Sequence, residues 1–396
     1  MDAYLVDWAN LLLRWLHLIV GIAWIGASFY FVWLDNSLTP PEDQSLKDKG
    51  VMGELWAVHG GGFYNPQKYL GVPKAMPDHL HWFYWESYSS WMSGFALFVV
   101  LYLVNPSIYL IDKKVFDLSP SMAIAAALGF LIAGWVVYNT ICRLFGERGD
   151  KADLTVGLLV SLFVVLAAWA ACHLFSGRAA FLLTGAMIAT IMSANVLIWI
   201  IPGQRKVIAS MKAGQAPDPM HGKRAKQRSV HNTYFTLPVL LSMLSNHYSM
   251  LYQAKHNWVV LVVLMLAGVL IRQFFIARHK GNIQWGWWVA GIALIVSVII
   301  ALAPDRTSVK NSSSAVAEAN FSEVKSIIEQ RCVMCHNTQV ISKNIQLHTD
   351  ALIVANAQAI YQQAVLLKLM PMANSTNITE KERTVLGNWF KAGAVQ

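Results

Sequence analysis

Two cysteines and a histidine lie close together near the end of the chain, in the segment QRCVMCHNTQ from Gln330 to Gln339. The spacing of Cys332, Cys335 and His336 is the attachment motif of a c-type haem. The two thiols add to the vinyl groups of one porphyrin, and the imidazole that follows binds the iron as proximal ligand. The motif therefore predicts one covalently bound haem c.

Two other uses of paired cysteines fit the chain less well. A zinc site needs further ligands at similar spacing, and the other two cysteines, Cys142 and Cys172, lie far away in apolar stretches. A thioredoxin-like redox pair needs a βαβ context, and the sequence shows no such pattern. Haem attachment is the interpretation that the residues favour.

A second axial ligand is expected downstream of the motif. The segment KLMPMAN contains Met370 and Met372, which follow His336 by 34 and 36 residues. Met370 directly precedes a proline, as the distal ligand usually does in class I cytochromes c. We therefore predict that His336 and Met370 bind the haem iron, with Met372 as the second candidate for the distal position.

The residues around the motif predict a small cytochrome domain. The segment FSEVKSIIEQR reads as a short amphipathic helix before the motif, and TEKERTVLGNWFKAG reads as a final helix. Thr379 and Glu382 form a capping box at the start of that helix. Leu386 and Trp389 fall at helical spacing and would cover the haem edge. A helix, the motif, a methionine loop and a final helix are typical of a class I cytochrome c.

Most of the chain has the composition of a membrane protein. It has 396 residues, of which 56% are hydrophobic and 13% are charged, about half the charged fraction of a soluble domain. A helix rises 1.5 Å per residue, so about 20 apolar residues span a bilayer. Eight stretches are long enough: 11–34, 82–104, 121–142, 154–175, 179–201, 229–251, 257–277 and 284–303.

The basic residues predict how these spans are oriented. The loops after spans one, three, five and seven carry 16 Lys and Arg, and the loops after spans two, four and six carry 4. Basic loops stay in the cytoplasm, so both termini are expected on the periplasmic side of a bacterial inner membrane, where c-type haem is attached. The net charge of +9 is then explained by the basic loops on the cytoplasmic side. We therefore expect membrane lipid, and no nucleic acid, as a partner.

The predicted architecture is all-α, a polytopic membrane helix bundle followed by a small class I cytochrome c domain. We expect the eight-span bundle over residues 1–303 and the periplasmic cytochrome domain over 321–396. The Ser- and Ala-rich segment 304–320 has no periodicity and is predicted to be a flexible tether.

Three histidines are expected near the outer ends of their spans. They are His17, His173 and His247. Ionisable side chains are costly within a bilayer and often have a function there. Haem b or another metal is one use of such histidines. Alternatively, His17 forms a hydrogen bond between helices, and His173 and His247 lie at the membrane–water interface.

The first cytoplasmic loop is long, aromatic and rich in glycine. His59 precedes three glycines that would let backbone amides approach a ligand closely. His81 and Glu86 follow at the entrance to the second span, where a carboxylate could accept a proton or form an ion pair. We predict His59, His81 and Glu86 as candidate catalytic residues for a flat, polar heterocycle.

The two domains together resemble a known family. The segments LRWLHLIVGIAWIGASFYFVWLD, HGGGFYNPQKY and HLHWFYWESYSSW, followed by CVMCH, are similar to those of the membrane-bound, cytochrome c-fused urate oxidases of bacteria. The resemblance covers nearly the whole chain. It implies oxidation of urate to 5-hydroxyisourate without hydrogen peroxide. The electrons would pass to the fused cytochrome and then to a terminal oxidase or a soluble cytochrome.

One alternative has no substrate chemistry. The protein could be an electron-transfer subunit that relays electrons from quinol or from a partner dehydrogenase. In that case the spans would carry paired histidines for haem b, and the first loop would be structural.

The topology can be tested with reporter fusions. A reporter after Gln396 should be periplasmic, and one inserted between Gly214 and Asp218 should be cytoplasmic, because basic loops are retained inside. Alkaline phosphatase and green fluorescent protein activities distinguish the two sides. A cytoplasmic C-terminus would contradict both the topology and the haem attachment.

The distal ligand can be tested by substitution. Met370→Ala should abolish the weak thioether-to-iron band at the red end of the oxidised spectrum, because the sulfur ligand is lost. Met372→Ala is the matched control and should leave the band in place. If only the Met372 change removes it, the assignment of Met370 is wrong.

Overall fold

The computed structural model describes residues 3–69, 73, 77–149, 151–303, 320–339, 345–366 and 368–395. Most of the predicted tether therefore lies outside the described residues.

Residues 3–303 form mainly long, apolar helices. In chain order these helices are α1 (Ala3–Ser37), α2 (Gln44–Asp48), α3 (Trp85–Phe98), α4 (Pro106–Tyr109), α5 (Pro120–Phe145), α6 (Ala152–Leu174), α7 (Gly177–Ala194), α8 (Ile201–Lys212), α9 (Pro219–Leu244), α10 (Ser249–Tyr252), α11 (Asn257–His279) and α12 (Trp285–Ala301). Two π-helical turns, Val99–Leu103 and Asn195–Ile200, continue α3 and α7. A 3-10 turn, Ser245–His247, follows α9.

Within the described residues, five helical segments are long and apolar enough to cross a membrane. They are Tyr4–Ser37, Pro120–Phe145, Ala152–Leu174, Gly177–Lys212 and Asn257–His279. These helices fit a membrane protein. The shorter helix α12 is apolar as well. The full set of eight spans stays a prediction.

The sixth predicted span differs from the helix that the structure contains. We expected a span over 229–251, whereas α9 begins at Pro219 and ends at Leu244. Asp218 caps its start by accepting a hydrogen bond from the Met220 amide at 2.9 Å. The first turns of α9 are cationic and polar, so the helix extends beyond the apolar stretch that marked it.

Helix α7 lies at the centre of the bundle, with α5, α6 and α9 packed around it. Small residues allow these close approaches. A Cβ atom on Gly134 would lie 2.2 Å from Cγ of Met187, and one on Gly185 would lie 2.5 Å from Cβ of Ser242. The contacts of α7 therefore depend on glycines that leave room for their neighbours.

The outer helices expose apolar side chains. Helix α1 packs against α3, yet none of its most apolar stretch is buried by protein. Leu11, Leu18 and Ile22 are among its exposed residues. Exposed apolar surface of this extent needs an apolar partner, and membrane lipid supplies one.

The first loop corrects the prediction of an entirely helical chain. Strands β1 (Val51–Glu54) and β4 (Gln67–Tyr69) pair antiparallel, as do β2 (Ala57–His59) and β3 (Gly62–Tyr64). Gly60 and Gly61 have φ of +59° and +78°. Positive φ at both central residues is what a two-residue hairpin turn requires, so the turn accounts for these glycines.

The C-terminal residues form a separate small core. Its helices are α13 (Phe321–Arg331), α14 (Asp350–Ala355), α15 (Ala357–Ile360) and α16 (Glu380–Lys391). A π-helical turn, Tyr361–Leu366, follows α15, and a 3-10 turn covers Met372–Asn374. Leu386 and Trp389 are buried in this core, and Tyr361 stacks on Phe390. The predicted capping box of Thr379 and Glu382 is confirmed.

The two cores approach each other at one place. Cα atoms of the turn Met372–Asn374 come within 8 Å of helix α4. Helix α4 precedes α5, and the Ser176 amide, just before α7, donates a hydrogen bond of 2.9 Å to the Leu110 carbonyl that follows α4. The methionine loop therefore lies at the end of the bundle where α5 and α7 begin.

Glycine packing around α7 can be tested on one helix. Gly134→Ala should lower the free energy of unfolding by about 1–3 kcal/mol, because the new methyl group collides with Met187. Gly129→Ala is the matched control on α5, where a Cβ atom has no neighbour within 4 Å. Thermal unfolding in detergent measures both. Equal unfolding temperatures for the two variants would contradict this account of the α5–α7 contact.

Candidate functional site

The predicted haem-attachment residues follow directly after helix α13. Cys332 and Cys335 are both free thiols. Burial raises the pKa of the Cys332 thiol to about 12, so this thiol stays protonated at neutral pH. The His336 amide donates to the Cys332 carbonyl at 3.1 Å. One turn of chain thus presents both thiols and the imidazole together.

The His336 ring is oriented for metal binding through one nitrogen. Its Nδ1 lies 3.0 Å from the Ile345 carbonyl oxygen. A carbonyl only accepts, so Nδ1 carries the proton and Nε2 keeps its lone pair. Histidines that bind metals are held in this way by a second partner. The donor set therefore fits a c-type haem at Cys332, Cys335 and His336.

Met370 is positioned by a buried arginine. It packs against the same apolar core as Cys332, and its carbonyl accepts a hydrogen bond of 2.9 Å from Arg383. Arg383 is 4% exposed and also donates to the Ala364 carbonyl. Met372 instead begins the turn that approaches α4. No contact decides between the two methionines, so Met370 stays a prediction.

A cavity of about 210 Å³ lies between the end of α5, the π-helical turn Asn195–Ile200 and the start of α9. We name it the Arg228 cavity. It is lined by cationic, polar and aromatic side chains: Cys142, Arg143, Gly146, Glu147, Trp199, Lys223, Arg224, Gln227 and Arg228. Glu147 accepts a hydrogen bond from Arg224 at 2.5 Å, which lowers the pKa of this carboxyl below its usual range. The only carboxylate among the lining residues is therefore already paired.

Arg228 is the deepest charge in this cavity, at 3% exposure. It donates to the Asn139 side-chain oxygen at 3.1 Å and lies 3.5 Å from that of Asn195. Its guanidinium carbon is 5.0 Å from the centre of the Tyr138 ring and 5.1 Å from that of Trp199. A buried guanidinium needs such partners to offset the loss of water.

A hydrogen-bonded pair lies beneath Arg228. The Tyr138 hydroxyl is 2.8 Å from Nδ1 of His231, and it accepts a hydrogen bond of 2.9 Å from the Asn195 amide. Asn195 also donates to Asn232 at 3.0 Å. The sulfur of Cys142, which lines the cavity, is 4.0 Å from Nδ1 of His231. The pair is therefore close to the cavity floor.

The π-helical turn helps to assemble this group. It begins at Asn195, which reaches Tyr138, and contains Trp199, whose indole donates to the Asn139 oxygen at 2.9 Å. Such turns often occur at functional sites because they shift the helix face on one side.

The three catalytic candidates predicted for the first loop and the entrance to the second span lie on different elements. His59 is exposed on the β2–β3 hairpin, and His81 is exposed with its ring 4.6 Å from that of Phe83. Glu86 is half-buried in the first turn of α3. No contact between any two of these side chains is described. They stay predictions that no interaction supports.

The three histidines predicted near the outer ends of their spans have different surroundings. His17 is half-buried between α1 and α3, with Nδ1 3.0 Å from the Ser90 carbonyl and 3.1 Å from the Ser93 hydroxyl. His173 is exposed and bonds through Nδ1 to the Trp169 carbonyl of its own helix. His247 is exposed in the turn after α9. Their role as haem b ligands stays a prediction.

A second cavity, of about 380 Å³, lies where the first loop meets α8. It is lined by Asp78, His79, Leu80, Trp82, Arg205, Ile208, Ala209 and Lys212. Arg205 is exposed and lies 5.6 Å from the Trp82 ring centre. The charged side chains that line this second cavity are exposed, whereas Arg228 is buried.

Among the described residues, no group of three or more His, Cys, Asp and Glu side chains could hold a metal ion.

Polar residues within the apolar stretches of the sequence are the feature that marks the Arg228 cavity. Tyr138 and Asn139 interrupt an apolar run, as does Asn195 in a later span. Polar residues within spans mark functional positions. Our prediction weighed ionisable residues and passed over these neutral ones.

Comparison with known proteins adds one finding. The family model described as urate oxidase N-terminal matches residues 3–303. This range includes both cavities and ends before the C-terminal core. No curated protein and no solved structure matches the chain. Because the model covers more than half of the chain, the protein belongs to the urate oxidase N-terminal family.

Proposed function

We propose that the protein oxidises urate to 5-hydroxyisourate in the membrane and passes the electrons to its own haem c, without forming hydrogen peroxide. The observation that carries this proposal is the family match over residues 3–303 on a chain that also bears the haem motif. The family suggests the substrate, and the motif suggests the acceptor.

The proposed reaction balances without oxygen as oxidant. The urate anion and one water give 5-hydroxyisourate, one proton and two electrons. The new C–O bond forms with the oxygen of water, and the protein must take up the released proton. The membrane domain therefore needs a place for a planar anion and a proton acceptor beside it.

Residues of the C-terminal core would hold the acceptor. Cys332 and Cys335 would bind haem c covalently, and His336 and Met370 would be its axial ligands. When bound, this haem supplies a one-electron acceptor. Arg383 keeps the methionine loop in place through its hydrogen bond to Met370. A soluble cytochrome or a terminal oxidase would take the electrons onward.

The contact between α4 and the turn Met372–Asn374 supports transfer within one chain. Met370 is only two residues before that turn. The loop that would help to hold the haem thus lies beside the membrane domain, and an external acceptor would have access to other surfaces of the C-terminal core.

A relay within the membrane domain is part of the proposal. If urate reacts at the far end of the bundle, where α5 ends beside the Arg228 cavity, the 26 residues of α5 place it about 39 Å from α4 at 1.5 Å per residue. This distance is too long for a single electron transfer. A haem b would serve, and His17 is the best placed of the three predicted ligands. Its Nδ1 is engaged by Ser90 and Ser93, which leaves Nε2 for iron.

The anaerobic reaction of the purified, oxidised protein with urate tests the function. Urate alone should reduce the haem, visible as growth of the α-band. Because urate gives up two electrons and each haem takes one, one urate should reduce two haems. With ferricytochrome c in air, turnover should yield no hydrogen peroxide in a peroxidase assay.

The matched control removes only the acceptor. A Cys332→Ala, Cys335→Ala double variant should keep the membrane domain and lose urate-dependent reduction of ferricytochrome c. Reduction by a quinol but not by urate would instead support the electron-transfer subunit without substrate chemistry. Stoichiometric peroxide would contradict the proposal.

A further inference from the structure

We infer that urate binds in the Arg228 cavity, where Arg228 holds the anion and the Tyr138–His231 pair accepts the proton. This inference rests on the proposed function, because it names the place where that substrate would react.

The charge of the cavity favours an anion. Four cationic side chains line it, namely Arg143, Lys223, Arg224 and Arg228, against the single carboxylate of Glu147. Arg224 and Glu147 form an ion pair, which leaves an excess of positive charge. Arg143 and Lys223 are exposed, so the cavity opens beside positive side chains that attract an anion from solution.

The planar guanidinium of Arg228 favours a planar anion as ligand. The Arg228 guanidinium is planar and donates several hydrogen bonds in one plane, which suits a flat ligand with adjacent oxygen and nitrogen acceptors. This guanidinium donates a hydrogen bond to Asn139 and lies against the rings of Tyr138 and Trp199. Its orientation is therefore set before a ligand arrives, and binding costs little reorganisation.

The size of the cavity favours a small ligand. A volume of about 210 Å³ is below the range of about 300–1,000 Å³ that holds drug-sized molecules. A purine of two fused rings is smaller than those molecules. The Gln227 side chain adds an amide at the wall.

The hydrogen bonds beneath the cavity define a direction for the proton. The Tyr138 oxygen accepts from the Asn195 amide, and its own proton is therefore free to point at Nδ1 of His231. When Tyr138 receives a proton from the water that attacks urate, it can pass its own proton to His231. The two electrons leave one at a time to the one-electron haem acceptor, so charge and atoms balance.

The binding site can be tested by anaerobic equilibrium dialysis of urate against protein already reduced with ascorbate, which cannot take electrons from urate. Arg228→Lys keeps the charge and removes the planar donor pair, so it should weaken urate binding about tenfold or more. The matched control is Arg205→Lys in the second cavity, which should bind urate as the wild type does. If Arg205→Lys weakens binding and Arg228→Lys does not, the site lies beside the first loop and the inference is wrong.

A second variant, at an exposed residue, keeps the test valid if the buried Arg228→Lys substitution prevents folding. Arg143 is exposed, so Arg143→Gln should fold, and it should weaken binding by a few-fold through loss of one charge. Full reduction of the haem by ascorbate shows that each variant is assembled. Unchanged binding in both the Arg143 and the folded Arg228 variant would overturn the inference.

The proposed role of Tyr138 and His231 as proton acceptors can be tested through kcat. His231→Gln and Tyr138→Phe should each lower kcat by about 10²-fold or more, as loss of an acid–base group does, and should leave KM nearly unchanged. A purely structural role would change KM and haem content together. Equal loss in kcat and rise in KM would contradict the proton role.

The two proposals fail in different ways. If urate does not reduce the wild-type haem, the proposed function is wrong. Dialysis still measures urate binding in that case, and weaker binding in Arg228→Lys but not in Arg205→Lys would still support the cavity. If urate reduces the haem in every variant at the wild-type rate, only the site is wrong.

Discussion

The end of the helix bundle where α5 stops and α9 begins is organised around one buried charge, the guanidinium of Arg228. A charge without water costs several kcal/mol unless hydrogen bonds and aromatic faces replace its solvent. Here Asn139 comes from α5, and Asn195 and Trp199 come from the π-helical turn after α7. The segments α5, the π-helical turn after α7, and α9 must therefore pack in one relative position, since a shift of any of them would leave the buried charge unpaired.

A second buried arginine has the same effect in the C-terminal core. Arg383, on α16, donates to the carbonyls of Ala364 and Met370. The Ala364 carbonyl belongs to the π-helical turn Tyr361–Leu366, and the Met370 carbonyl lies outside any helix or strand. The guanidinium thus holds the loop that carries the proposed distal ligand, much as Arg228 holds the walls of its cavity.

The two groups lie toward opposite ends of the molecule. The turn Met372–Asn374 approaches α4, just before α5 begins, whereas the Arg228 cavity lies where α5 ends. The positive-inside pattern predicts that these ends face the periplasm and the cytoplasm, respectively. In the proposed reaction, urate would be oxidised on one side and its electrons collected on the other, so electron transfer would cross the bilayer.

Several features could be predicted because they depend on neighbouring residues. The spacing of Cys332, Cys335 and His336 fits one porphyrin within one turn of chain. The capping box joins Thr379 to a residue three positions later. Long apolar runs predict long apolar helices, since each backbone bond in a helix closes within four residues. The helix over Phe321–Arg331 and the final helix were likewise predicted from local patterns.

The convergence of side chains from separate helices was decided by the tertiary structure. Tyr138, Asn195 and Arg228 are separated by dozens of residues, and each alone resembles an ordinary polar interruption of a helix. Sequence reasoning favoured His59, His81 and Glu86 because titratable groups in an aromatic loop stand out. Those three lie on separate elements, namely a hairpin, a loop and the first turn of α3, and the hairpin turn accounts for the glycines beside His59. Packing depends on contacts between distant segments, and local sequence patterns do not predict which distant segments come into contact.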